Sequence, residues 1–360
     1  MKDAQATPPD PVKLVKNVAL IAGIMTGAHV AAMIVLGLRL GLYRALAGAG
    51  PVTSDDVAGA TGLHERWLRE WLRGQAAAGI VEYRGNARFE LSPEVTLLLV
   101  DEDSLTYLGG NFLHLPDRMA MVEKLEESFR TGCGYSFDDR GDASAASTEL
   151  MFRNWHRLVL VPTALPLLDG VVQRLESGGV AADIGCGSGL AVIEMAKAFP
   201  RSTFHGYDTS QHALSRAKGN RIAAGIENAA FHDPMTDPLR ADHSVDFVTT
   251  FDCLHDMTHP EQAVAAIRAA IKPDGVWFIA DINGAPTFDE QLGSASTPML
   301  YAMSVLSCMS SALSEEGGAG LGTLGLPEPA MRKLVADAGF TRFRRIDLPH
   351  PINAFYEARP

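Results

Sequence analysis

Residues Asp183 to Gly189, D-I-G-C-G-S-G, join an apolar run that begins at Val180 to an amphipathic stretch that ends at Phe199. Gly185, Gly187 and Gly189 alternate at the junction. Backbone without side chains lets a ligand lie against N–H groups and the start of the following helix. The spacing discriminates between ligands. A dinucleotide fingerprint, G-x-G-x-x-G/A, needs a small residue at position 190, where this chain has Leu190. Three further aspartates close successive apolar runs: Asp208 after "TFHGY", Asp233 after "AAFH" and Asp252 after "VDFVTTF". One such aspartate is an ordinary turn or helix-cap residue. Three of them behind an alternating glycine loop make a constellation.

The stretch "HDMTH" contains His255 and His259, four residues apart with an acid between them, superficially a metal motif. That chemistry needs both histidines on one helix face. Pro260 predicts a helix that starts only after His259, so no metal site is expected.

The elements that must position these residues form a regular pattern. From Gly178 onward, short apolar runs alternate with helical segments: "VAADIG", "LAVIEMAKAF", "TFHGYD", "HALSRAKGNRIAAG", "AAFHD", "VDFVTTFDCLHD", "PEQAVAAIRAAI" and "GVWFIADI". This predicts an α/β domain with a parallel sheet covered by helices on both faces. "RFRRIDL" and "INAFYEARP" predict a closing hairpin. Upstream, Val12 to about Leu46 reads as two apolar helices. Helix, turn at Gly62, helix and a hairpin around "RGNA" follow, a winged helix. Leu97 to about Asp169 reads as mainly helical, broken by a mobile-looking loop, "TGCGYSFDDRGDAS". The expected organisation is thus a disordered 1–11, a winged-helix dimerisation domain over 12–100, and a helical linker and active-site cap over 101–170. The α/β domain then covers 171–360, with an insertion at 284–326 expected to cap its ligand end. Within that insertion Met299, Met303, Leu306 and Met309 fall on nearly one helical face and are expected in the core. Asn111, His114, Tyr135, Trp155 and His156 precede the α/β domain and are expected to serve packing or the surface.

Charge narrows the function classes. The 360 residues carry a formal net charge of −12, a poor balance for binding phosphate backbones. Within the winged helix, five arginines (Arg66, Arg69, Arg73, Arg84, Arg88) face seven acids (Asp55, Asp56, Glu65, Glu70, Glu82, Glu90, Glu94). Trp67, Leu68, Trp71 and Leu72 make its second helix a packing surface, so nucleic acid is not the expected partner. Val18 to Leu38 has no charged side chain and is long enough to span a bilayer. Gly23, Thr26, Gly27 and His29 dilute it, and the expected home of this helix is a partner subunit rather than a membrane. The polar, proline-containing stretch ahead of it does not read as a secretory signal. Four scattered cysteines (Cys133, Cys186, Cys253, Cys308) lack zinc spacing and suit a reduced, cytoplasmic protein.

The glycine loop resembles motif I of class I S-adenosylmethionine (SAM)-dependent methyltransferases. That resemblance implies a Rossmann-like domain with a seven-stranded sheet whose last strand is antiparallel. It implies SAM as cofactor and S-adenosylhomocysteine as product. Cofactor contacts would come from Asp183, Gly185, Cys186 and Gly187, from Asp208 and Thr209 at the ribose, and from His232 and Asp233 at the adenine, with Phe231 or His232 flanking the ring. Phe251, Asp252 and Cys253 would lie beside the methionine moiety. "FDCLHDMTHPEQ" is similar to the L-H-D-W segment of winged-helix O-methyltransferases, with Met257 in place of the tryptophan. By that likeness His255 is the general base, Asp256 supports it, and the N-terminal helices and winged helix form a homodimer. The implied reaction is O-methylation of a small apolar or aromatic metabolite. Methylation at nitrogen, carbon or carboxylate, or a SAM-binding transcriptional regulator, are the rival readings.

Overall fold

The computed structural model describes residues 8–360. The expectation of disorder over 1–11 falls largely on residues 1–7, outside the described residues. The chain divides into two compact units, Met1–Pro116 and Asp117–Pro360.

In the first unit, Asp10 caps the helix Pro11–Arg39 by accepting from Val12 N at 2.9 Å, and Pro11 sits at the first helical position. The short helix Leu42–Leu46 follows. Thr53 and Asp56 form a reciprocal capping box on Ser54–Thr61, and Gly62, in the left-handed region, ends that helix. Glu65–Ala77 is the second helix of the winged helix. The hairpin pairs strands β1 (Glu82–Tyr83) and β2 (Phe89–Glu90). Leu68, Trp71, Leu72 and Gln75 form the buried stripe of Glu65–Ala77. Trp67 lies off that stripe and is 79% exposed. Trp71 packs edge-on against Tyr43 and donates from Nε1 to Met33 O.

The second unit holds one seven-stranded sheet. Its strands are β3 (Val180–Ile184), β4 (Thr203–Tyr207), β5 (Ala229–His232), β6 (Val245–Phe251), β7 (Ile271–Ile282), β8 (Arg342–Ile346) and β9 (Asn353–Arg359). The spatial order is β5-β4-β3-β6-β7-β9-β8. All pairs are parallel except those made by β9, which runs antiparallel to both β7 and β8. Successive residues of a strand face opposite sides. Ala181, Phe247, Phe278 and Phe355 therefore enter one core with the helix Leu190–Ala198. Ala182, Val248, Trp277 and Tyr356 enter the other with Pro260–Ala270 and Glu328–Asp337. Both faces are buried, so the strands read as continuous apolar runs rather than alternating ones. The order reverses between β3 and β6, the place where open parallel sheets receive ligands.

The insertion departs from the methionine stripe. The helical run Thr297–Ala312 buries Leu300, Ser304, Cys308 and Ala312, while Met299 is half exposed and Met303, Leu306 and Met309 are only partly buried. Small residues win the inner face because backbone approaches closely there. A Cβ at Gly134 would meet Ser310 O, and one at Gly322 would meet Ser304 Oγ. The 132–140 loop is tied to this run by Gly134 N donating to Leu313 O and Tyr135 N donating to Ser310 Oγ, each at 2.8 Å.

Candidate active site

The three loop glycines all have positive φ, but for different reasons. A Cβ at Gly185 would sit 2.6 Å from Cys253 Cβ, and one at Gly189 would sit 2.4 Å from the Phe231 ring. Those two positions are closed by the protein's own packing. A Cβ at Gly187 would meet nothing within 4 Å. Gly187 is the open position of the three.

Asp208 lies at the end of β4 beside that position. Its Oδ2 accepts from Gly187 N at 2.8 Å and its Oδ1 from Ser210 N at 2.9 Å. A carboxylate offers about four acceptor sites, so two hydroxyl donors can still be served. Burial holds its pKa above the ordinary value, against the backbone hydrogen bonds. Thr209 follows, exposed. Asp233 accepts from Met235 N and from Gln211 Nε2, each at 2.9 Å. His232 stacks on Tyr207 at 4.9 Å and bridges His205 and Asp237.

Phe231 is buried beneath the loop. Its side chain fills the space left by Gly189 and Gly206 beneath the loop, where no other residue type at those positions would fit. Cys186 is buried against Gly206. Asp183 is buried within the sheet and accepts from Thr249 Oγ1 at 2.7 Å, and burial pushes its pKa up to about 7. Cys253 is buried and donates from Sγ to Ile184 O at 3.1 Å. The Phe251 ring sits in an aromatic cluster, 4.8 Å from His156 and 5.8 Å from Trp155. Trp155 in turn stacks on Phe355 at 5.3 Å. His156 is buried, and desolvation lowers its pKa to about 3, which fixes it as a neutral ring. Asn111 and His114 belong to the first unit.

Asp252 adopts φ +50°, an uncommon conformation for a residue with a side chain. Asn353, on β9, donates through Nδ2 to both of its carboxylate oxygens. Burial, reinforced by nearby Asp281, raises the Asp252 pKa to about 7.

His255 sits in the one-turn helix Leu254–Asp256 and is 2% exposed. Its Nδ1 hydrogen-bonds Asp281 Oδ1 at 2.7 Å, and the same oxygen accepts from Ile282 N. Burial alone would lower the imidazole pKa. The Asp281 carboxylate, with Cys308 close by, outweighs it and the net direction is upward. Asp256 lies next in the chain, partly buried, its pKa raised to about 6 by desolvation. Asp281 and Asn353 were not singled out in the sequence. Asp281 is buried inside an apolar strand, "GVWFIADI", where an aspartate needs a partner, and that isolation was the readable signal. His259 caps the helix Pro260–Ala270, so the two histidines of "HDMTH" occupy different elements.

A glycine loop at the switch point, an acid at the next strand end and a buried histidine–aspartate pair are thus brought to one end of the sheet. Residues 175–316 match the methyltransferase domain family, and residues 28–100 match the Rv2258c-like winged helix-turn-helix domain. The chain thus joins a segment that matches the methyltransferase domain family to one that matches that winged-helix domain. Over 213 residues it is 30% identical to the mitomycin biosynthesis 6-O-methyltransferase of Streptomyces lavendulae, covering 54% of this chain and 58% of that protein. The chain spans about half the length of the curated relatives it matches. The fold is also that of human N-acetylserotonin methyltransferase, solved with SAM, at TM-score 0.68 and 17% identity over 100% of this chain and 99% of the other. An O-methyltransferase family protein from Burkholderia thailandensis matches with TM-score 0.67 and 17% identity over 98% of each chain.

Proposed function

We propose that this protein transfers a methyl group from SAM to a hydroxyl of a small, apolar or aromatic acceptor. The observation that carries the reading is the buried His255–Asp281 pair, set on the same sheet end as the open Gly187 and Asp208. The residues fit the cofactor: a cradle without side chains, spare acceptor capacity on Asp208, and the stacked His232 beside Asp233. Gly185, Cys186, Gly187, Asp208, Thr209, His232 and Asp233 would hold the nucleoside, with Asp183, Phe251, Asp252 and Cys253 at the amino-acid end. When bound, SAM supplies an electrophilic methyl group on a sulfonium.

The chain's own contribution is proton removal and alignment. Asp281 fixes His255 through Nδ1, which leaves Nε2 as the base that takes the acceptor's hydroxyl proton. Its carboxylate stabilises the imidazolium formed. The buried surroundings exclude water and keep the acceptor aligned. Asp256 supports the turn that carries His255. Dimerisation through the N-terminal helices and winged helix completes the proposal, and DNA is not a partner.

The test is methyl transfer from labelled SAM to a panel of phenols, with product masses recorded. Methyl ethers that disappear in His255→Ala support the reading. Turnover left intact in His255→Ala would refute the base assignment.

A further inference from the structure

The loop that precedes the helix Gly141–Trp155 touches both halves of the site. On the cofactor side, Asp138 Oδ1 accepts from Ser210 Oγ at 2.6 Å and from His212 N at 3.2 Å, two residues beyond Asp208 in the first case. On the other side, Arg140 Nη1 donates to Ser307 Oγ, on the run Thr297–Ala312. That run packs directly on the turn Leu254–Asp256, and Cys308, adjacent to Ser307, lies beside the His255 imidazole. One short loop thus delivers a guanidinium to the neighbourhood of the base.

The state of that guanidinium is unusual. Its plane lies over the Phe137 ring, 4.8 Å from the ring centre. Nε and Nη2 are both buried and make no hydrogen bond. Among the described residues no carboxylate forms an ion pair with Arg140, although Asp256 is near enough to act on it electrostatically and a second cation, Arg118, adds repulsion. Buried N–H donors on a charged group that lack partners cost more than those of any neutral group. Packing does not explain the residue, because an apolar side chain would fill the space without that cost. The two unused donors belong to a planar fork that matches one chemical shape best, a carboxylate.

We propose that Arg140 is the anion-recognising residue of the acceptor pocket, and that the acceptor carries a carboxylate in addition to the hydroxyl presented to His255. This rests on the methyl-transfer reading above and narrows it to hydroxy-acids, with aromatic ones suited to the neighbouring Phe137. Ser307 positions Arg140 by holding Nη1, which leaves Nε and Nη2 for the ligand.

The experiment is titration calorimetry of the full chain saturated with S-adenosylhomocysteine. The probes are 2-, 3- and 4-hydroxybenzoate and their methyl esters, run against wild type, Arg140→Met and Arg140→Lys. A charge-assisted bidentate pair is worth about 10- to 100-fold in affinity. At least one acid is expected to bind wild type that much more tightly than its ester. Arg140→Met should bring the ratio to near one, and Arg140→Lys should leave it intermediate, with S-adenosylhomocysteine affinity unchanged. Equal binding of acid and ester, a preference that survives in Arg140→Met, or binding of no probe would overturn the proposal; water alone then completes the guanidinium. If Arg140→Met loses its fold, the ratio in Arg140→Lys decides. If S-adenosylhomocysteine itself fails to bind, the methyl-transfer reading fails separately, and the acid–ester comparison is made on the unliganded protein.

Discussion

Asp281 Oδ1 lies 2.7 Å from His255 Nδ1, and both residues are almost completely buried. Asp281 lies near the end of β7 and His255 in the turn that follows the neighbouring strand β6, 26 residues apart in the chain. The acid that orients the histidine is therefore supplied by sheet register, and the adjacent Asp256 is not bonded to the ring. Asp281→Asn should lower kcat by about 10²-fold or more, since it loses both orientation and imidazolium stabilisation. It should also move the pH profile. Asp281 raises the His255 pKa, so the neutral base accumulates only above the ordinary imidazole value of 6.5. Wild-type kcat/KM should climb with pH through an inflection above that value, and the inflection should fall in Asp281→Asn. An unmoved inflection would remove the pairing from the mechanism.

Asp208 should decide cofactor affinity. Asp208→Ala deletes the acceptor of Gly187 N and Ser210 N and, on the proposed reading, two charge-assisted contacts to the cofactor's ribose. Binding of S-adenosylhomocysteine should weaken by about 1–3 kcal/mol, measured calorimetrically. Unchanged affinity would mean that Asp208 serves the loop alone.

The glycines separate packing from binding. Gly189→Ala drives a methyl into Phe231, so it should lower the melting temperature of the whole domain. Gly187→Ala adds only the cost of a left-handed residue, about 1–2 kcal/mol, and its methyl enters open space. It should weaken S-adenosylhomocysteine binding more than it lowers stability. Equal loss of stability in the two variants would argue against the open cradle.

The sheet, its helices and the strand end that carries the glycine loop were legible because each rests on local pattern: apolar runs, capping residues and glycine spacing. The packing of Phe231 was not legible because it depends on Gly189 and Gly206, and a sequence does not display which of several neighbours a ring fills. Asp281 and Asn353 were missed for a related reason. Each acts across strands, on His255 and Asp252, through a register fixed only once the sheet closes. The methionine stripe failed because helical periodicity names candidate faces, whereas close backbone approach at Gly134 and Gly322 selected the serine-bearing one.

Buried acids give the domain a pH signature. Asp183 and Asp252 have folded pKa values near 7, against 3.8 ordinarily. Between those values the folded chain holds protons that the unfolded chain has released. Their contribution to stability is therefore present at low pH and is lost as pH rises toward 7. The melting temperature of wild type should fall across pH 5 to about 7.5 more steeply than that of Asp252→Asn. The ionised acids also favour a sulfonium over a thioether, so SAM should gain on S-adenosylhomocysteine in relative affinity as pH rises. A pH-independent ratio of the two affinities would detach these carboxylates from the methyl donor.

The helix Pro11–Arg39 leaves most of its apolar surface bare. Its mean hydropathy is 2.1 over an 18-residue window, of which only 11% is buried, so length and composition would also let it cross a membrane. Val18, Ile21, Ile24 and Met25 are each more than half exposed. Apolar surface gains about 25 cal/mol for each Å² removed from water, so a helix this bare strongly favours a partner. A second copy of the chain is the proposed cover. Sedimentation of wild type should give a dimer, and the pair Ile21→Asp and Ile24→Asp should shift it toward monomer while S-adenosylhomocysteine binding persists. A monomeric wild type that sediments with lipid vesicles, and is released from them by the same substitutions, would assign the helix to a membrane surface instead.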